Sequence, residues 1–465
     1  MQYLSHPTVK EQVKRSIPRM LEKFGKVTGE EVDEDGITPI HYYKNGDLEY
    51  TIHVFEWKEN NNPLFHNPAR EARLMQVFAK DGNPAMLPSI ELFALMPFFV
   101  SVTPRLGSLL NYVTAHDTDK TKLKSIFMDL LYGVLYLHNH LRVAHLDLKP
   151  DNILLDANCN AVLSSFGCAV PAANADYEGA KAAMLQKLET RLQSRGASAQ
   201  ETEQRKQREI VKFDALYHQY AEMYHHLSAI LREPDDEIGG PIARLPRLTV
   251  PLQLFFRPSY QQQGYTFDKI LSINGYTDPN DPQMSGQRLV DSFLAHLRRQ
   301  HPNEADQKRA LANFTVRLMP NLPAKLYAFD LESGLTIPPA PIEGVGGTAQ
   351  YMCPALARDR PTNPFAADVY SLGVVLFIVA TGFQPYRSLT ERAFQELERG
   401  GVAHLLRCYG QADSVYPTCL ALLERMMHFD PDQRPTINEC IWLFREVTLI
   451  PWTPLHSRER TGGDE

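Results

Sequence analysis

The residues best equipped for chemistry lie in one stretch, His145-Leu146-Asp147-Leu148-Lys149-Pro150-Asp151-Asn152, followed by the apolar run Ile153-Leu154-Leu155. A carboxylate, an ammonium and a carboxamide this close together can work on a proton or an anion. In the plainer reading they brace a loop by hydrogen bonds. Other candidate chemistries fall away. The six cysteines (Cys159, Cys168, Cys353, Cys408, Cys419 and Cys440) have no close pair at metal-ligand spacing and read as idle thiols of a reducing compartment. Lys and Arg number 48 against 55 Asp and Glu, a net charge of −7, so no nucleic-acid surface is expected. Residues 29–36 run Gly-Glu-Glu-Val-Asp-Glu-Asp-Gly, and five carboxylates within six positions would repel a polyphosphate. They read as a solvated hairpin loop.

The elements that must position this stretch follow from periodicity. Val9, Val13, Ile17 and Leu21 stand four apart, which predicts a short amphipathic helix interrupted near Pro18, within an N-terminal extension over 1–29. Residues 30–102 read mainly as strands, with two β-rich runs joined at Asn45-Gly46 and a helix over about 68–80. Residues 107–139 are helical in pattern, and 346–450 return to helices. Between them, 170–345 differ in character. Met184, Leu188 and Leu192 mark one helix. Ile210, Phe213, Tyr217, Tyr220, Tyr224, Leu227 and Leu231 stripe a longer one, and the breaker 196–200 makes the two a hairpin. A Pro-rich stretch over 234–258 and helices near 289–297 and 305–318 complete that region, and 451–465 read as a disordered tail. The longest apolar run, 372–380, is far short of the ~20 residues of a membrane helix. An intracellular setting, cytoplasmic or nuclear, is expected, with no membrane role.

The stretch from His145 to Asn152 resembles the catalytic loop of eukaryotic-type protein kinases, and Lys149-Pro150 points to the Ser/Thr branch. Other segments with family counterparts stand in the required order: 103–110 as the hinge, 347–354 as the end of the activation segment, 368–373 as the start of the central C-lobe helix, and 423–435 as the closing motif. The resemblance implies an α+β, two-lobed protein-kinase fold. Its N-lobe spans 30–102, its C-lobe 103–169 and 346–450, and a large, mainly helical insertion (170–345) lies in the activation segment. It also implies roles: Asp147 would accept the substrate hydroxyl proton, Lys149 would belong to the same loop, and Asn152 would hold a metal ion. Met75, His145 and Phe166 match members of a stacked apolar spine, Asp368 its anchor, and Glu71 the helix glutamate.

Several charge-placing parts depart from the family. Ser165, in Ser164-Ser165-Phe166-Gly167, stands at the metal-binding Asp position, where a neutral hydroxyl replaces an anionic ligand. His53 stands at the strand-three Lys position and Thr51 at the adjacent small residue. Phe329-Asp330 and Lys58 are weaker stand-ins for the missing Asp and Lys. Leu146 replaces the Arg that receives a phosphorylated activation loop. Ala355 replaces the Glu that pairs with Arg434, so a carboxylate or water must satisfy that guanidinium.

The expectation is a pseudokinase that serves as scaffold or allosteric regulator of protein partners, bound through the insertion and the C-lobe, with no cofactor. An active atypical Ser/Thr kinase using ATP and Mg²⁺, or a Mg-independent nucleotide sensor, are the alternatives. The insertion is expected to be a separable module whose two ends lie together.

Overall fold

The computed structural model describes residues 7–32, 39–56, 67–81, 85–87, 90–95, 98–115, 119–232, 249–251, 315–317, 337–344, 346–385, 391–408 and 415–449. Phe329-Asp330, Lys58, the Pro-rich stretch up to 248, the helix expected near 289–297 and the 451–465 tail lie outside these residues.

Alternating β-branched and aromatic residues give β2 (Pro39–Asn45) and β3 (Leu48–Glu56) two distinct faces. With β1 (Lys26–Val32), β4 (Glu91–Leu95) and β5 (Phe98–Pro104) they form an antiparallel sheet in the order β1-β2-β3-β5-β4. Tyr43, Ile52, Val54, Val100 and Val102 bury one face against Ile17 and Leu21 of helix α1 (Pro7–Leu21) and against Phe24. The other face carries Thr51, His53, Ser101 and Thr103, which are cross-strand partners. From it the Ser101 hydroxyl reaches the Met75 sulfur of helix α2 (Pro68–Asp81) at 3.9 Å.

Three expectations shift by small amounts. α1 runs through Pro18 without a break; the carbonyl this leaves free belongs to Lys14, on the exposed side. The sheet starts at Lys26, so Gly29 to Val32 are strand and not loop. The hairpin turn is Gly46-Asp47, closed by the Asn45–Leu48 pair, with Gly46 at φ +62°.

The C-lobe is built on two buried helices. α4 (Leu123–Leu135) follows the short α3 (Leu109–Thr114) and passes into a π-helical turn, Tyr136–Leu141. A later helix, Pro364–Thr381, starts where the Asn363 side chain accepts from the Phe365 and Ala366 amides, and stops at Gly382, φ +74°. By length and composition it could cross a membrane, yet 94% of it is buried in the protein, as befits a core helix. Glu391–Cys408, Pro417–Met426 and Ile437–Phe444 complete the lobe. Strand β6 (Gly107–Ser108) pairs with β8 (Ile153–Leu155), which pairs with β9 (Ala161–Leu163). Strand β7 (Val143–Ala144) pairs with β10 (Val170–Pro171). These small sheets fix both ends of the 145–152 loop.

The insertion opens as the expected hairpin, α5 (Tyr177–Ser194) and α6 (Ala199–Arg232). Its two ends do meet: Asn174 bridges Pro339, and Ala175 and Ala340 donate to the Pro338 and Ala173 carbonyls. The packing argues against separability. Met223 and Leu227 of α6 are buried in the main core, which the C-lobe shares with Met75 and Phe78 of α2, while Phe213, Leu216 and Tyr220, with Tyr217 at the edge, pack in the insertion's own cluster. The buried stripe is Phe213, Leu216, Tyr220, Met223 and Leu227, while Ile210, Tyr217 and Tyr224 are half-buried on its flank. Residues 315–317 form strand Thr315–Arg317, paired with Thr249–Pro251, where a helix end was expected. Each partner is a Thr-Val pair with a further residue, and β-branched pairs suit a ladder.

Candidate functional site

The 145–152 loop hangs from one carboxylate. Asp368, fully buried in the Pro364–Thr381 helix, accepts from the His145 amide at 2.7 Å and the Leu146 amide at 2.8 Å. His138 of the π-helical turn lies 2.8 Å from the same side chain through Nε2, the donor of that pair when the carboxylate accepts. Burial holds the His138 pKa below its ordinary value despite Asp368, so the imidazole is neutral at pH 7.

Within the loop the sequence-predicted groups converge. Asp147 Oδ1 accepts from the Thr348 amide at 2.7 Å and the Thr348 hydroxyl at 2.6 Å, and Oδ2 accepts from Asn152 at 2.8 Å. Lys149 donates to Thr348 Oγ1 at 2.9 Å and stands 3.9 Å from Asp147 Oδ2. Thr348, 201 positions from Asp147, is thus the residue that locks the activation-segment end onto the loop. Its place in a Gly-Thr pair was the available signal. Gly347 makes the approach possible at φ +86°, where a Cβ would meet the Leu146 carbonyl oxygen at 2.1 Å. Gly347→Ala should therefore cost at least ~1–2 kcal/mol from the left-handed backbone alone, read as a lower urea midpoint at unchanged slope. An unchanged midpoint would mean the loops are not in contact.

The spine and cleft residues are placed as follows. Phe166 is buried between His145, at 5.1 Å between ring centroids, and Phe78 of α2, at 4.6 Å. Met75 lies in the same core. Ser164 donates to the Asn152 carbonyl at 2.9 Å through its hydroxyl, and its own carbonyl lies 2.9 Å from His145 Nε2. Ser165 follows in left-handed backbone, φ +63°, opening the Phe166–Cys168 turn. The Cys168 thiol is pushed up to about 12, first by burial and then by the Asp147 charge, so it stays protonated at pH 7. His53 is half-buried on β3 and stacks on Phe55, with centroids 5.6 Å apart. Glu71 sits buried in the first turn of α2. At the hinge the Arg105 guanidinium lies 4.1 Å from the Tyr42 ring centre and its amide donates to Glu49.

This donor set does not fit the Mg²⁺ of the kinase family. Asn152 directs its amide nitrogen to two Asp147 oxygens, the backbone carbonyl and Oδ2, and so offers a metal only one neutral oxygen. Ser165 offers another neutral oxygen where a carboxylate belongs, and Mg²⁺ is held through anionic oxygens. Among the described residues no group of three or more His, Cys, Asp or Glu could hold a metal ion.

Two arginines differ from expectation. Arg434 is buried and meets backbone carbonyls in place of a carboxylate: it donates to those of His428 (2.8 Å), Ala366 (3.0 Å) and Phe429 (3.1 Å) and lies over the Tyr370 ring. Arg142, which sequence reasoning missed, is fully buried at the end of the π-helical turn. It donates to the Ile337 carbonyl at 2.9 Å and Asn174 at 3.3 Å, and faces the Tyr220 and Phe365 rings at 4.5 and 4.8 Å. Burial lowers its pKa to about 10, so it stays charged at pH 7. At about 1.4 kcal/mol per pKa unit that desolvation costs on the order of 3 kcal/mol, which the acceptors and rings drawn from the insertion and the Pro364–Thr381 helix must offset.

Comparison with known proteins agrees with this architecture. The protein kinase domain family matches residues 91–185 and 318–442. Over 134 residues, 28% of this chain, it is 31% identical to "Probable serine/threonine-protein kinase MARK-A" of Dictyostelium discoideum. Over 101 residues, 21% of this chain, it is 36% identical to the phosphorylase b kinase gamma catalytic chain, liver/testis isoform, of Bos taurus. The matched stretches span 12% and 24% of those relatives. The lobes, the catalytic-loop geometry and these matches together support a protein kinase domain of the eukaryotic type in this chain.

Proposed function

We propose that this protein is a pseudokinase: a kinase fold held in an assembled state that works by binding proteins and not by transferring phosphate. The observation that carries this reading is Ser165 at the metal-ligand position beside an Asn152 whose amide is directed to Asp147. Phosphoryl transfer rests on charge placed around the phosphates, and His53 and the Glu30 and Glu31 strand place it poorly. Protein partners would bind the C-lobe and the exposed face of the insertion, inside the cell. The intact contact set of Asp147, Thr348 and Lys149 favours a second reading, an active kinase with another source of metal ligands.

Titration with ATP, with and without Mg²⁺, separates the readings. A ligand at a hundred times its Kd stabilises by about 2.7 kcal/mol, several degrees in Tm for a domain of this size. No shift is expected at millimolar Mg-ATP. A Mg-dependent shift, together with phosphate appearing on a protein substrate, would establish the kinase. A shift by ATP alone would make the protein a nucleotide sensor.

A further inference from the structure

Helix α6 is in contact with both lobes. Its 34 residues, at about 1.5 Å each, make a rod about 50 Å long. About two thirds of the way along, Tyr220 covers the guanidinium of Arg142, which projects from the end of the π-helical turn next to the catalytic loop. Past that point Met223 and Leu227 enter the main core, which the C-lobe shares with α2. At the far end the Leu231 carbonyl accepts from Arg73 of α2, 3.1 Å away and 158 positions earlier in the chain. A helix ends in carbonyls without internal partners and with partial negative charge, so a guanidinium there is doubly favourable. The same α2 is held from another direction. Arg70 donates to the Ala169 carbonyl at 3.1 Å and the Gly167 carbonyl at 3.4 Å, and the Asn67 amide donates to Gly167 at 2.8 Å.

We infer that α6 is an interlobe strut: by bracing α2 of the N-lobe against Arg142 of the C-lobe, it fixes the angle between the lobes from within the chain. Two packed lobes joined by a hinge ordinarily rock about it. Here a helix docked at both ends, with the 167–169 segment as a second tie, removes that freedom. The position of α2 then depends on insertion docking, and a molecule that pulls α6 away would release the lobes. This holds whether or not the cleft transfers phosphate.

Distances between spin labels on the full-length protein test it. Leu48 in the β2–β3 hairpin and Trp442 in the last C-lobe helix are exposed and suit labelling after Leu48→Cys and Trp442→Cys, with Cys159 and Cys408 changed to Ser. The parent should give one narrow distance distribution. Arg142→Met, which removes the anchor at Tyr220, should broaden it about twofold or split it. Should Arg142→Met fail to fold, Arg73→Gln cuts the other end of the strut and must broaden the distribution by itself. A broad distribution in the parent, or a distribution as narrow as the parent's in the folded variants, overturns the strut.

Discussion

Asp368→Ala should remove most of the stability of the fold. The substitution leaves the His145 and Leu146 amides and the His138 Nε2 hydrogen without their acceptor in the interior. Each stranded donor costs about 1–3 kcal/mol, so the three together cost on the order of 3–9 kcal/mol, set against a typical total of about 5–15 kcal/mol. Asp368→Asn should be little better, because one amide oxygen cannot serve three donors and its NH₂ would face an amide hydrogen. Urea unfolding followed by tryptophan fluorescence reads the loss. A variant within about 1 kcal/mol of the parent would mean the catalytic loop is held by something other than this carboxylate.

Removing the insertion should be the more damaging change. A chain in which a Gly/Ser linker replaces 172–343 closes a shorter loop at little entropic cost, so loop closure alone gives no reason for failure. Packing does. The deletion takes away Asn174, Tyr220 and Ile337 and leaves the Arg142 charge buried without them. It also opens the core where Met223 and Leu227 sat. An uncompensated buried charge costs about 3–5 kcal/mol and each lost core aliphatic about 2–5 kcal/mol, which together exhaust the stability of an ordinary domain. The shortened chain is expected in the insoluble fraction with no cooperative melt. Adding Arg142→Leu to it should recover part of the soluble yield, because the charge penalty is gone. A shortened chain that melts cooperatively near the parent's Tm would show the insertion to be an appendage.

Much of the site could be read in the sequence because it is local. Asp147, Lys149 and Asn152 lie within one loop, and their spacing alone brings them together; the Asp368 anchor, Ser165 and His53 were placed by flanking residues of recognisable type. What escaped was decided at a distance. Phe213, Tyr220 and Leu227 fit a helical stripe equally well with Tyr217 and Tyr224 on one flank or with Leu216 and Met223 on the other, since both sets repeat at three and four. The flank that faces the C-lobe is buried, and no local pattern states which that is. Arg142 had no carboxylate nearby to mark it, because its partners are two rings, a carbonyl and an amide drawn from the insertion and the following helix. The acceptors of Arg434 were hidden for a related reason. Backbone carbonyls carry no identity in a sequence, so a missing glutamate looked like a missing partner.

The Arg434 site also bears on how this lobe tolerates acid and mutation. A carboxylate partner would let go as the pH fell through about 4, and could be deleted by one codon change. The carbonyls of His428, Phe429 and Ala366 have no proton to gain in that range, and every residue that might replace those three still presents the same oxygen. On its acceptor side the clasp therefore cannot be lost by point substitution unless the backbone itself moves. The hereditary weak point is the arginine alone, and among variants of this chain the tie should fail through position 434 far more often than through any residue it holds.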